Sequence, residues 1–334
     1  MSLFGSLYVG ASGLQTGQNA LNTTAHNLSN VNTEGYTRQQ ITFADSTYAN
    51  VFSKSLNKGK YGLGVDIDAI SRIRNEFIDR SYRTESSRLG FYESQANAVY
   101  EVEDWFGEMQ GVTYQEHITN LYNAVNELTE NPTSTIARSS LIQNAAAFID
   151  RSEAIYSGLK DYQVTLNTEV NNMVEKINSL GQRIYNLNKG IVKVEAAGVE
   201  RANDLRDSRD LALDELSKYI DIDYYETKDG EVIVSAENVP FITKNDIAKM
   251  SVREEGTYGL LIPQWEGYQQ DVYNFDKQAN NANDTDKGKL KGLLIARGVI
   301  EVNYTDIPVM PERADYDLTT EQGMAEYNSA MDAY

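Results

Sequence analysis

The chain has 334 residues, no cysteine and a net charge of −19. Its length holds two or three domains with cores of their own. Its acidity argues against nucleic acid and against a negative membrane surface, which both attract clustered Lys and Arg, and the missing cysteines exclude disulfides, zinc–thiolate sites and thiol catalysis.

No charged side chain precedes Glu34, although 24% of the chain is Asp, Glu, Lys or Arg. Within that stretch Leu7, Leu14, Leu21 and Leu28 recur every seven residues, with Leu3 and Ala11 beside Leu7. The spacing predicts a helix with the leucine seam of a coiled-coil strand, which needs a partner. Its other faces offer Asn, Gln, Ser, Thr and Gly where a solvated helix would carry Lys and Glu, so they too are expected against protein. Gln15, Gln18, Asn19 and Asn22 would lose their hydrogen bonds in lipid, which argues against a membrane span. A secretory signal does not fit either, because a basic n-region and a continuous apolar core are lacking. The helix is expected to stop near Asn30, where turn-forming residues gather from Asn27 to Tyr36, and to fray in the isolated chain for want of a partner.

Residues 37–73 read as extended, with Tyr61–Ile67 a glycine-flanked strand. A helix is expected from about Asn75 to Phe106 with Leu89, Tyr92, Ala96, Val99 and Phe106 on one face. Another runs through Leu121, Val125 and Leu128 and ends before Asn131-Pro132. The clearest period follows: Leu166, Val170, Met173, Ile177, Leu180, Ile184, Leu187, Ile191 and Val194 alternate spacings of four and three. That is an unbroken heptad seam, in a helix expected over 159–194 within a rod-like bundle. A shorter helix passes through Leu205, Leu213 and Leu216. Past Ile220 the texture turns to strands, with a hairpin around Asp229-Gly230 and further strands at Ala248–Val252 and Tyr258–Ile262. A polar loop over 271–289, a helical turn at Leu290–Arg297 and a tail without an apolar seam complete the chain. The fold class is α+β, elongated and multidomain: a segment 1–36, a long-helix body 37–219, a β-rich part 220–310 and a tail 311–334.

Candidate chemistry is sparse. Asp204, Asp207 and Asp210 interleave with Arg201, Arg206 and Arg209 and read as a solvated lattice of ion pairs within one helix, so that Asp207→Asn costs only a few tenths of a kcal/mol. Asn283-Asp-Thr-Asp-Lys-Gly288 resembles a calcium loop, but Lys287 and Leu294 stand where ligands belong. Gly62-Leu-Gly64 lacks the third glycine of a dinucleotide site. His26 reads as a hydrogen-bonded structural residue, and His117 has no acid or nucleophile in pattern with it. No catalytic residue, cofactor or metal is expected, and the chain reads as no enzyme.

Leu3-Phe-Gly-Ser-Leu-Tyr-Val-Gly-Ala-Ser-Gly-Leu14 with Ala25-His-Asn-Leu-Ser-Asn-Val-Asn-Thr-Glu-Gly-Tyr-Thr-Arg-Gln39 resembles the N-terminal motif of bacterial flagellar axial proteins. Gly64-Val-Asp-Ile with Arg72-Ile-Arg-Asn-Glu-Phe-Ile, Leu128-Thr-Glu-Asn-Pro with Ala137-Arg138, and Ala202-Asn-Asp-Leu-Arg-Asp-Ser-Arg-Asp-Leu211 are similar to the hook-associated protein 1 family. Asn75 departs from the acid usual there. That family closes with a second heptad helix, and nothing after Tyr304 has such a seam, so the chain is expected to be the N-terminal portion of a longer protein. The resemblance implies a secreted, extracellular structural subunit of the flagellum, an adaptor ring joining hook to filament. A hook or rod subunit, or remotely an axial protein with a hydrolase domain, is the alternative. Implied partners are other copies of itself, the hook protein, a second, filament-side hook-associated protein, and the type III export apparatus with an export chaperone; nucleic acid and membrane are not among them. The implied subunit interface comprises Leu3, Leu7, Leu14, Leu21, Leu28, Asn30, Asn32, Gly35 and Tyr36.

Overall fold

The computed structural model describes residues 3–51, 59–107, 113–198, 201–255, 259–275, 279–298, 311, 316 and 320–333. Helix α1 (Leu3–Ser29) ends where the turn-formers begin. Strand β1 (Gln39–Asp45) pairs antiparallel with β4 (Val65–Arg72), and β2 (Tyr48–Val51) pairs with β3 (Gly59–Gly62). The single strand expected over 61–67 is therefore two strands, parted at Leu63-Gly64. Gly64 has φ +119, and a Cβ there would collide with the Ser12 hydroxyl of α1. That is the point where α1 lies down on the hairpin.

Helix α2 (Glu76–Phe106) is capped by Asn75, whose side chain accepts from the amides of Phe77 and Ile78 at 3.0 and 3.4 Å. An Asn serves this N-cap as well as an Asp does. Helix α3 (Tyr114–Glu130) stops at Asn131-Pro132. Helix α4 (Thr135–Glu195) then runs for 61 residues, about 92 Å at 1.5 Å per residue. It begins well before the expected 159, because the Ser134 cap on the Ala137 amide starts a helix over a stretch with no heptad seam to announce it. Helix α5 (Asn203–Tyr219) turns back along it. A sheet of β5 (Ile222–Glu226), β6 (Val232–Ala236) and β7 (Val239–Ile242) follows in sequence order, all antiparallel. A second sheet has β9 (Leu260–Trp265) between β8 (Met250–Glu255) and β10 (Gln270–Asp271). Helices α6 (Lys289–Arg297) and α7 (Glu321–Ala333) complete the described elements. Sequence pattern alone did not name α7, whose residues carry no apolar seam.

One core joins helices and sheets across residue 220. The α4 seam residues Leu166, Val170, Met173, Ile177, Leu180 and Ile184 are buried with Leu213 and Leu216 of α5, Val232, Val234 and Phe241 of the first sheet, Met250 and Trp265 of the second, and Leu290 of α6. Three asparagines of α4 fasten strands to the helix. Asn188 donates to the Val232 carbonyl and accepts from its amide; Asn178 does the same at Met250. Asn167 donates to the Gly259 carbonyl and accepts from the Leu261 amide. Each pair satisfies strand backbone groups that water would otherwise have to reach.

The expected packing face of α2 is a correction. Leu89, Tyr92, Ala96, Val99 and Phe106 point outward, and the buried face is Arg83, Ser86, Ser87, Gly90, Phe91, Ser94 and Ala98. Small residues win because they let backbones approach. Ser94 donates to the Lys289 carbonyl of α6 at 3.2 Å, and a Cβ on Gly90 would run into the Lys218 carbonyl of α5.

Candidate assembly interface

The seam of α1 faces solvent. Leu7, Leu14, Leu21 and Leu28 are 70–78% exposed, and Tyr8 and Val31 are exposed near them. The side chain of Leu3 lies outside the described residues. Exposed apolar rows of this length are unusual on a monomer's surface. The back of α1 is seated by polar contacts rather than by a core. The Val65 amide donates to Ser12 Oγ at 3.3 Å. Asn27 donates to the Gln39 carbonyl and accepts from the Gln39 amide, both at 2.9 Å. Uncharged residues are thus needed on this helix because its second face reads the backbone of a strand.

Of the remaining expected interface residues, Asn32 is exposed and Asn30 closes the end of α1, donating to the His26 carbonyl at 3.0 Å. Gly35 and Tyr36 face inward. Gly35 takes φ +78, and a Cβ there would lie 3.1 Å from Leu211 Cβ. The Tyr36 hydroxyl donates to Asn27 at 2.7 Å and sits 3.0 Å from His26 Nδ1, so His26 is the hydrogen-bonded structural residue expected.

Below this turn lies a cluster that sequence reasoning misjudged. Asp204 is exposed, but Asp207 and Asp210 are buried. Among the described ion pairs, none joins an arginine of α5 to an aspartate of α5. Arg72, at the end of β4, donates to both Asp207 and Asp210 at 2.7 Å. Arg74 pairs with Asp79 at 2.6 Å and reaches Asp210 and Asp214 at 3.6 Å. Arg83 of α2 bonds Asp214 at 2.7 Å. The Thr37 amide donates to Asp207 at 3.1 Å, and Asn203 donates to the Ile70 carbonyl at 2.9 Å. Burial alone would push the Asp210 carboxyl up, but Arg74, Arg72 and Arg83 outweigh it and hold it below the usual range. The result is a buried ionic clasp tying the α1–hairpin unit to the helical body, not a solvated lattice.

The arginines of α5 serve elsewhere. Arg206 grips Glu195 with two bonds of 2.8 Å and Glu226 with one of 2.7 Å. Through that grip, opposed by burial and aided by the Ala202 amide, Glu195 is held at about 2. Arg209 is buried on Asn188, the Gly230 carbonyl and Glu226. The signal for the clasp was present in Arg72-Ile-Arg74, but only three-dimensional placement brings those arginines to α5. In the loop that resembles a calcium site, Asp284 pairs with Arg88 and Lys287, and Asp286 accepts from Tyr92 at 2.8 Å. Its carboxylates are thereby engaged by cations and a hydroxyl of this chain. No helix among the described residues is long and apolar enough to cross a membrane.

A groove of about 1170 Å³ separates α1 from the start of α5, lined by Asn22, His26, Ile67, Glu195 and Arg201 among others. It is polar and open, and its ionisable groups form no acid–base or nucleophile pair.

The family model described as the flagellar hook-associated protein FlgK helical domain matches residues 99–315, and that of the flagella basal body rod protein matches 7–37. The flagellar hook-associated protein 1 of Bacillus subtilis is 30% identical over 322 residues, 93% of this chain and 63% of its own length. That of Salmonella typhimurium is 25% identical over 214 residues, 64% of this chain and 37% of its own. The chain thus spans less than two thirds of either relative. In fold it is similar to the flagellar hook junction protein FlgK from Burkholderia pseudomallei, with a TM-score of 0.50 and 21% identity over 66% of this chain and 38% of that one. A match to the helical-domain model over well over half of its residues shows that the chain belongs to the flagellar hook-associated protein FlgK family.

Proposed function

We propose that the protein is a structural, non-enzymatic subunit of the junction between flagellar hook and filament. The observation that carries this reading is the fully uncovered leucine seam of α1 on a member of that family. Copies assemble in a ring through that seam, with the hook protein on one side and a filament-side hook-associated protein on the other. The subunit works outside the cell after passing the flagellar export apparatus, with a chaperone guarding its apolar surface until then. On this reading residues 1–36 form the inner-tube element, 37–219 the body, 220–310 the outward β-rich part fused to it through the common core, and 311–334 a tail. Leu7, Leu14, Leu21 and Leu28 make the contacts between subunits. The match of residues 7–37 to a rod-protein model reflects a motif that rods, hooks and junction proteins have in common, and so does not favour a rod subunit.

Cells lacking the protein should carry hooks without filaments and shed unpolymerised filament subunits, as seen by electron microscopy. Complementation with Leu21→Asp should fail, because every copy would bury an unpaired carboxylate in the ring. Normal filaments in the deletion strain, or normal junctions built from the Leu21→Asp protein, would defeat the reading.

A further inference from the structure

The turn between β6 and β7 places one ill-suited residue, Glu237, in a backbone conformation that Asn238 beside it adopts readily. Glu237 and Asn238 take φ of +47 and +65, and Asn suits that region far better than Glu. The Glu237 side chain turns inward, and its Oε1 is buried with no hydrogen-bond partner. Within electrostatic reach of it is the buried Tyr273, whose hydroxyl is also without one. Asp221, whose carbonyl accepts the Glu237 amide at 3.1 Å, adds a second carboxylate. The two lysines on this side are committed elsewhere: Lys287 to Asp284 at 2.7 Å and Asp221 at 3.5 Å, Lys291 to the Thr285 carbonyl at 2.7 Å. Among the described residues, no ion pair reaches Glu237.

A buried carboxylate oxygen without a donor is costly when ionised and tolerable when protonated. We propose that the β6–β7 turn is a proton-operated latch, closed while Glu237 is protonated and loosened when it ionises. Burial is the main influence on Glu237, and Asp221 adds to it. Together they exceed the opposing pull of Lys291, the Asp221 backbone and Lys287, and the carboxyl is pushed up to about 7. Burial likewise raises Asp221 against the pull of Lys287, and Tyr273 stays un-ionised. The sign follows from the raised value. The latch is fully closed below the ordinary carboxyl value of 4.5 and is lost as pH rises through about 7. Loosening frees the edge strand β7, whose pairing with β6 that turn sets.

The test is hydrogen exchange on the full chain, with intrinsic rates corrected for pH, at the amides of residues 236–242. Their opening constants should rise by roughly two orders of magnitude between about pH 5 and pH 8. Glu237→Gln, which imitates the protonated acid, should remove that rise. A rise that persists in the Gln variant would overturn the latch. Carbon-13 carboxyl NMR of the unmodified chain keeps the test independent of how the variant folds. A Glu237 midpoint above about 6 supports the latch, and one near the ordinary 4.5 overturns it.

Discussion

Two helices of this molecule carry apolar heptad seams, every seventh residue leucine in α1 and spacings of four and three in α4, and meet opposite fates. In α4 the seam from Leu166 to Ile191 lies beneath two sheets and α5, with Val170, Ile177, Ile184 and Ile191 fully buried. In α1 the seam from Leu7 to Leu28 stands free. A heptad specifies a helix and an apolar stripe, but not whether its own chain covers that stripe. What distinguishes the two is their surroundings. Alongside its seam, α4 carries Asn167, Asn178 and Asn188, each clamping strand backbone, and it is followed by strands that can reach it. Helix α1 precedes a short hairpin that takes its polar back and leaves its leucines exposed.

The contrast is sharpest in stability. Ile177→Ala should cost about 3–4 kcal/mol in denaturant unfolding, the scale of a large-to-small change in a packed core. Leu21→Ala should stay within about 0.5 kcal/mol of the parent. Equal losses at the two sites would mean that α1 is covered after all.

Next in size is the clasp joining the two regions. Asp210→Asn removes one carboxylate shared by Arg72, Arg74 and Arg83, which keep Asp207, Asp79 and Asp214, and should cost about 1.5–3 kcal/mol. The exposed Asp204→Asn should be close to neutral. An Arg72/Asp210 double-mutant cycle should return a coupling of at least about 1 kcal/mol. The estimate of a few tenths for Asp207→Asn rises with the same reasoning, since Asp207 holds both Arg72 and the Thr37 amide. Additive effects in the cycle would return the aspartates to the solvated lattice.

A smaller effect is expected at the fasteners. Asn178→Ala strands the Met250 amide and carbonyl and should cost about 1–3 kcal/mol. Asn171, whose side chain bonds Glu175 on the same helix, should tolerate the change to Ala with little loss. Comparable losses at both positions would remove the fastening role.

The smallest change is visible only in acid. Arg206 holds Glu195 at about 2, so this pair stabilises the fold above the ordinary 4.5 and loses its contribution as pH falls toward 2. Glu195→Gln should flatten the thermal-unfolding curve between those values while leaving the neutral-pH side to Glu237. An unchanged acid limb would show that Glu195 titrates normally.

Much of the secondary structure was legible from residues alone. The start of α2 near Asn75, the stop of α3 before Pro132, the β5–β6 hairpin over Asp229-Gly230 and both heptad seams follow from local chemistry: turn residues, proline's restriction of the residue before it, and apolar period. The leucine period at the N-terminus announced a helix, and its uncharged run a polar back set against protein, where Ser12 and Asn27 meet strand backbone. Tertiary structure alone decided which faces meet. On α2 the apolar row lost its place in the core to Gly90 and Ser94, because close backbone approach to α5 and α6 favours small residues over bulky ones. Asp207 and Asp210 found one arginine, Arg72, 135 and 138 residues away in sequence rather than one three residues off. Their burial follows from the docking of β4 onto α5, which no spacing along the chain encodes. Period and composition report what a segment can bury or bond; the partner is fixed only when distant segments close on one another.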